Sequence, residues 1–131
     1  MSKPILCLDF DGVCHSYVSG WKGIDVIPDR AVPGLFEFLE AAKDHFDIQV
    51  FSSRSREEIG INAMQSWFIR ERQAWCADGG KPPIDTPLEI KFPTTKPAAF
   101  VTIDDRAITF TGEWPEPIVL RDFKTWAQRK V

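Results

Sequence analysis

The chain has 131 residues, 44% of them hydrophobic and 27% charged, which is enough apolar content for one domain, 1–131, with a buried core and leaves no room for a second. A formal charge of −3 and a pI near 5.4 argue against a general electrostatic affinity for nucleic acid and leave only local basic patches. No apolar run is long enough to span a bilayer, and Cys7, Cys14 and Cys76 lack paired C-x-x-C spacing in a chain without a signal peptide. A soluble protein of the reducing cytoplasm, with no membrane partner, is therefore expected.

In chain order, Ile5-Leu6-Cys7-Leu8 follows Pro4 as a short apolar run suited to a strand buried on both faces, and it ends abruptly in Asp9-Phe10-Asp11-Gly12-Val13. A backbone that stays extended through this turn points Asp9 and Asp11 to the same side of the sheet, while Gly12 lets the chain turn away. Two like charges this close repel unless a cation lies between them or one keeps a proton, so the pattern calls for Mg²⁺ and for more acid from another segment. An EF-hand is excluded, because its further oxygen ligands before the glycine and its late Glu are missing. The plain alternative is a solvated acidic turn.

Residues 14–30, with two glycines and a proline but no sustained periodicity, read as a loop or small hairpin beside that turn. Such a segment can act as a flap with His15, Tyr17 and Trp21 near a substrate, ordinary loop packing being the alternative for each. Pro33-Gly34 opens a helix of about three turns with an apolar face of Leu35, Phe36, Phe38, Leu39, Ala42 and Phe46. Ile48 to Phe51 forms a second strand, ending in Ser52-Ser53-Arg54-Ser55-Arg56. A helix follows from Ser55 or Arg56, with Ser55 and Glu58 as a capping box, and stops near Asp78-Gly79-Gly80, before Lys81-Pro82-Pro83.

Proline then punctuates the chain to Ala98, with Leu88 to Phe92 as a short strand. Phe100 to Ile103 is a further strand, ending in Asp104-Asp105-Arg106, which supplies the additional acid. Ile118 to Leu120 reads as a last strand and Asp122 to Lys130 as a short helix capped by Asp122. Alternating strands and helices argue for an α/β fold with a three-layer, Rossmann-like parallel sheet, helices on both faces and ligands at the carboxyl ends of the strands.

Three strands thus end in DFDGV, FSSRS and IDDR, with Lys91 and Lys96 before the last. On these motifs the chain from about Ile5 to Arg106 resembles the haloacid dehalogenase-like superfamily of aspartate-nucleophile phosphohydrolases. The resemblance implies that Asp9 is a nucleophile forming an aspartyl phosphate and that Asp11 is the general acid and then base. It further implies that Ser52 donates its hydroxyl and backbone N–H to phosphoryl oxygens and that a lysine, Lys96 in preference to Lys91, neutralises their charge. Mg²⁺ would be held by Asp9, the main-chain carbonyl of Asp11, Asp104 and Asp105.

Arg54, Arg56 and Arg106 could extend phosphate recognition through bidentate pairing, but are placed outside this core set as residues more often solvated or paired with Glu57, Glu58 or Asp105. By the same resemblance, the short segment 14–30 in place of a large cap implies an open site, which in the family accompanies large substrates such as phosphorylated macromolecule ends unless an oligomer partner closes it; a nucleotide, a sugar phosphate and a nucleic-acid end are the substrate alternatives. Two other classes use similar residues. One is a receiver-like phosphoacceptor domain, disfavoured by D-x-D on the first strand; the other is a metal- or phosphate-binding module without turnover.

Overall fold

The computed structural model describes residues 2–82 and 87–129. Its centre is a parallel sheet of β1 (Ile5–Leu8), β2 (Asp47–Val50) and β3 (Val101–Ile103), in the order β2-β1-β3. Register pairs Leu6 with Ile48 and Leu8 with Val50, so these four side chains share one face. Helices α1 (Leu35–Ala42) and α2 (Glu58–Ala77) bury Leu35, Phe36, Leu39, Met64, Trp67 and Phe68 in the same core. The α/β class and the parallel sheet are therefore as expected, although the sheet is small.

Differences from the expected elements have local causes. Helix α1 spans about two turns rather than three, giving way to turns after Ala42. Leu88 to Phe92 does not form a strand; between Pro87 and Pro93, which lack N–H donors, it meets β2 in a single bridge of Gln49 with Lys91. That bridge rests on the Lys91 N–H to the Ile48 carbonyl at 3.0 Å and the Val50 N–H to the Lys91 carbonyl at 2.9 Å. Ile118 to Leu120 is helical, inside α3 (Pro117–Arg121), because Pro117 presets the first helical turn.

Asp122 ends α3 rather than opening the last helix, and α4 covers only Trp126–Arg129. Thr125 and Gln128 cap α4 reciprocally, with N–H donations of 2.8 Å to Gln128 Oε1 and 3.3 Å to Thr125 Oγ1. The expected helix end at Lys130, and Pro83 after α2, lie outside the described residues. β3 is an edge strand whose Val101 and Ile103 are exposed, as are Phe100, Phe110, Trp114 and Ile118 beyond it. Among the described residues no helix is long and apolar enough to cross a membrane.

The expected Ser55–Glu58 capping box is displaced by one turn. Ser52 instead caps a 3₁₀ turn, Ser53–Arg56, in a box with Ser55, and α2 starts only after an extended Glu57. Two residues impose this register: Arg54, which is fully buried, and Gly60, whose missing Cβ makes room for the Arg54 carbonyl. Residues 14–30 form a loop with short turns, closed by a bridge of His15 with Ala31 and fastened to α2. Trp67 Nε1 donates to the Asp29 carbonyl at 2.9 Å. Glu71 Oε1 accepts from Arg30 Nε and from the Ala31 N–H, each at 2.9 Å.

Gly60→Ala tests this packing. Helix propensity alone favours alanine by about 1 kcal/mol, but the added Cβ would lie 2.1 Å from the Arg54 carbonyl oxygen. A net loss of about 1–3 kcal/mol in urea unfolding is expected, and a variant more stable than wild type would show that the turn yields freely.

Candidate metal centre and its cavity

Phe10 decides where the acidic turn points. Its ring is fully buried, 5.0 Å from Trp67 and 5.8 Å from Phe68 between centroids, so the carboxylates on either side are held at the surface of the core. The Asp9 N–H continues the ladder to the Ile103 carbonyl at 3.0 Å. The chain then turns: the Phe10 carbonyl accepts from Val13, Cys14 and His15. Extended backbone does not continue to Asp11, and the two carboxylates serve different partners.

Asp9 meets Asp104 and Asp105 from the end of β3, with one oxygen from each carboxylate within 4.8 Å of the others. Burial, then the nearby Asp104 charge and a hydrogen bond with Asp105, raise the Asp9 carboxyl from 3.8 to about 7. The Asp105 carboxylate lies against Gly12, where a Cβ would fall 2.2 Å from Oδ2; Gly12 also has φ +85°. Among the described residues, Asp105 Oδ1 is buried without a hydrogen-bond partner. An orphaned carboxylate oxygen in a cluster of three acids fits a bound cation, and an all-oxygen donor set suits a hard divalent ion.

Asp11 lies outside that cluster of side chains. Its Oδ2 accepts from Arg54 Nε at 3.0 Å. Its Oδ1 accepts from His15 Nδ1 at 2.9 Å and from Arg54 Nη2 at 3.2 Å. The Asp29 N–H donates to His15 Nε2 at 3.1 Å, which leaves Nδ1 as the protonated nitrogen facing Asp11. Arg54 Nη1 donates to the Gly23 and Ile24 carbonyls at 2.8 Å each, and the guanidinium carbon sits 4.6 Å from the Trp21 ring centroid.

A cavity of about 190 Å³ opens beside the cluster, lined by Cys7, Asp9, Phe51, Ser52, Ser53, Lys96, Thr102 and Asp104. It brings together Asp9, Ser52, Lys96 and Asp104. Lys91 is turned the other way, its Nζ 3.2 Å from Asp47 Oδ2 at the amino end of β2. Ser52 is partly committed: its N–H donates to Ser55 Oγ at 3.1 Å and its Oγ accepts from the Arg54 N–H at 3.0 Å. Its hydroxyl proton has only the Met64 thioether, at 3.6 Å, as its present acceptor among the described residues.

A larger hollow of about 410 Å³ at the amino ends of β1 and β2 carries Lys43, Asp47 and Lys91. There Lys91 is paired with Asp47, and Lys43 with Glu40 at 2.5 Å. Burial raises both the Cys7 and the Cys14 thiols, so neither is a ready thiolate. His15 and Arg54 could be placed near the site from the sequence, but their joint hold on the Asp11 carboxylate could not. Arginine after a strand-end serine is usually solvated, and only tertiary packing shows the burial. Trp126, from the far end of the chain, donates Nε1 to the Gly12 carbonyl at 2.8 Å, a contact that no local motif announces.

The raised Asp9 carboxyl has a consequence for stability. Folding favours its protonated form, so its stabilising share is complete below about pH 4 and is lost as pH rises through about 7. In EDTA, the thermal midpoint of wild type should therefore fall relative to that of Asp9→Asn across this window, and added Mg²⁺ at pH 7.5 should reverse the loss. A wild-type-to-variant difference that does not change with pH would contradict the clustering of charge at Asp9. Comparison with family models, curated protein sequences and solved structures returned no match.

Proposed function

We propose that the chain is a Mg²⁺-dependent phosphomonoester hydrolase working through an aspartyl phosphate on Asp9. One observation carries this reading: Asp9, Ser52, Lys96 and Asp104, drawn from distant parts of the sequence, line a single cavity. In an open parallel sheet, ligands sit in the crevice outside the carboxyl ends of the strands. Asp9, Asp104, Asp105 and the Asp11 main-chain carbonyl would hold the ion, which when bound neutralises phosphate charge.

The remaining chemistry belongs to the chain. A carboxylate oxygen of Asp9 attacks phosphorus as the P–O bond to the leaving group breaks, and Asp11 gives the departing oxygen its proton. Asp11 then takes a proton from the water that hydrolyses the aspartyl phosphate, which returns both groups to their starting states. Lys96 balances charge on the phosphoryl oxygens, and the Ser52 hydroxyl proton turns from Met64 to donate to one of them.

A cavity of about 190 Å³ suits a phosphoryl group with little attached, so the rest of the substrate lies outside it. That agrees with a nucleotide or a phosphorylated nucleic-acid end at an open site. The broader haloacid dehalogenase-like arrangement and a cytoplasmic location belong to the same reading. A second reading, a cation- or phosphate-binding module without turnover, draws on the ties that hold Asp11 to Arg54 and the Ser52 N–H to Ser55.

Phosphate release from an aryl phosphate, nucleotides and phosphorylated oligonucleotides, with Mg²⁺ and with EDTA, separates the two. Hydrolysis should require Mg²⁺ and fall at least about 10³-fold in Asp9→Asn. Full activity in that variant or in EDTA sinks the scheme, whereas Mg²⁺ binding with no release from any substrate supports the module.

A further inference from the structure

Asp11 is the most heavily engaged acid of the turn, and its partners are unusual. Arg54 and His15 are both fully buried, and both aim donors at the one carboxylate. A buried guanidinium is a costly way to stabilise a fold, since apolar groups of the same volume commonly do as well or better. What the ion pair supplies is geometry. Oδ1 accepts from His15 Nδ1 at 2.9 Å and from Arg54 Nη2 and Nε at 3.2 and 3.3 Å. Oδ2 accepts only from Arg54 Nε, at 3.0 Å, among the described residues. The two oxygens are therefore unlike: one is saturated, and the other keeps a lone pair.

Neither donor is free to drift. Arg54 is anchored through Nη1 to the Gly23, Ile24 and Val26 carbonyls at 2.8, 2.8 and 3.3 Å, and Trp21 covers its face. His15 is held by the Asp29 N–H, and Asp29 in turn accepts from the Ser19 N–H at 2.8 Å and its hydroxyl at 2.6 Å.

We infer that Arg54 and His15 are positioning residues that fix the orientation of the Asp11 carboxylate, filling Oδ1 and leaving Oδ2 as the oxygen with a lone pair to offer the reaction. This assignment rests on the hydrolase reading above. Residues 15–29 are then the frame that holds the acid in place, and they act on the reaction only through it.

The test is a double-mutant cycle on the full chain with Mg²⁺ and an aryl phosphate. Arg54→Lys keeps the charge but loses the planar fork, and kcat should fall about 10–100-fold, part of the range that general acid–base catalysis supplies. KM should stay within about threefold, and Mg²⁺ affinity should be unchanged, because neither is set by the Asp11 carboxylate. In an Asp11→Asn background the same Arg54→Lys change should cost less than about twofold more, since nothing is left for it to position.

A second pair of variants guards against misfolding at Arg54. His15→Asn keeps an N–H near the Nδ1 position and should retain most activity, whereas His15→Leu should lose about as much as Arg54→Lys. Losses that add in the Asp11→Asn background, or equal losses in His15→Asn and His15→Leu, overturn the assignment while leaving the hydrolase standing. A wild-type chain that releases no phosphate overturns the hydrolase reading and this assignment with it.

Discussion

The buried ion pair between Arg54 and Asp11 is the constraint on which the rest of the arrangement depends. It joins the turn after β1 to the entry of α2, and through three backbone carbonyls it also holds the loop at 23–26. Removing one partner of such a pair leaves an unpaired charge in the interior, at a cost of about 3–5 kcal/mol. The 3₁₀ turn, the late start of α2 and the glycine at position 60, which makes room for the Arg54 carbonyl, all accommodate a residue whose guanidinium must reach inward. Local helix signals at Ser55 and Glu58 yield to that demand.

Asp9 shows the opposite condition. Its neighbours Asp104 and Asp105 add like charge instead of relieving it, and the buried Asp105 Oδ1 has no donor among the described residues. The fold thus places one carboxylate of the D-x-D pair in a fully compensated setting and the other in an uncompensated one. Different environments drive two similar acids towards different tasks, the one held ready and the other waiting for a counter-charge.

Much of this was readable residue by residue, and the failures share a cause. An apolar run ending in acid is a local pattern, so the strand ends at Asp9 and Asp104 and the parallel α/β class could be read directly. Which of the two lysines lies at the cavity is set by tertiary placement, Lys96 lining it while Lys91 turns to Asp47. Three apolar residues at 118–120 cannot distinguish a period of 2 from one of 3.6, so Pro117 decided the matter in favour of a helix. The burial of Arg54, the tautomer of His15 and the reach of Trp126 to Gly12 are long-range facts. They depend on segments that meet only after folding, and composition and spacing carry no trace of them.

Gly12 sets a limit of another kind. Because the Asp105 carboxylate rests where its Cβ would be, main chain bounds the acidic cluster on that side. Side-chain walls adapt by changing rotamer, and main chain held by hydrogen bonds to His15 and Trp126 does not. A wall that cannot retreat fixes the radius a coordination sphere can take. Cations of equal charge are told apart by radius and ligand number, so discrimination between a small octahedral ion and a large, loosely coordinated one would come from a residue that contributes no ligand side chain at all.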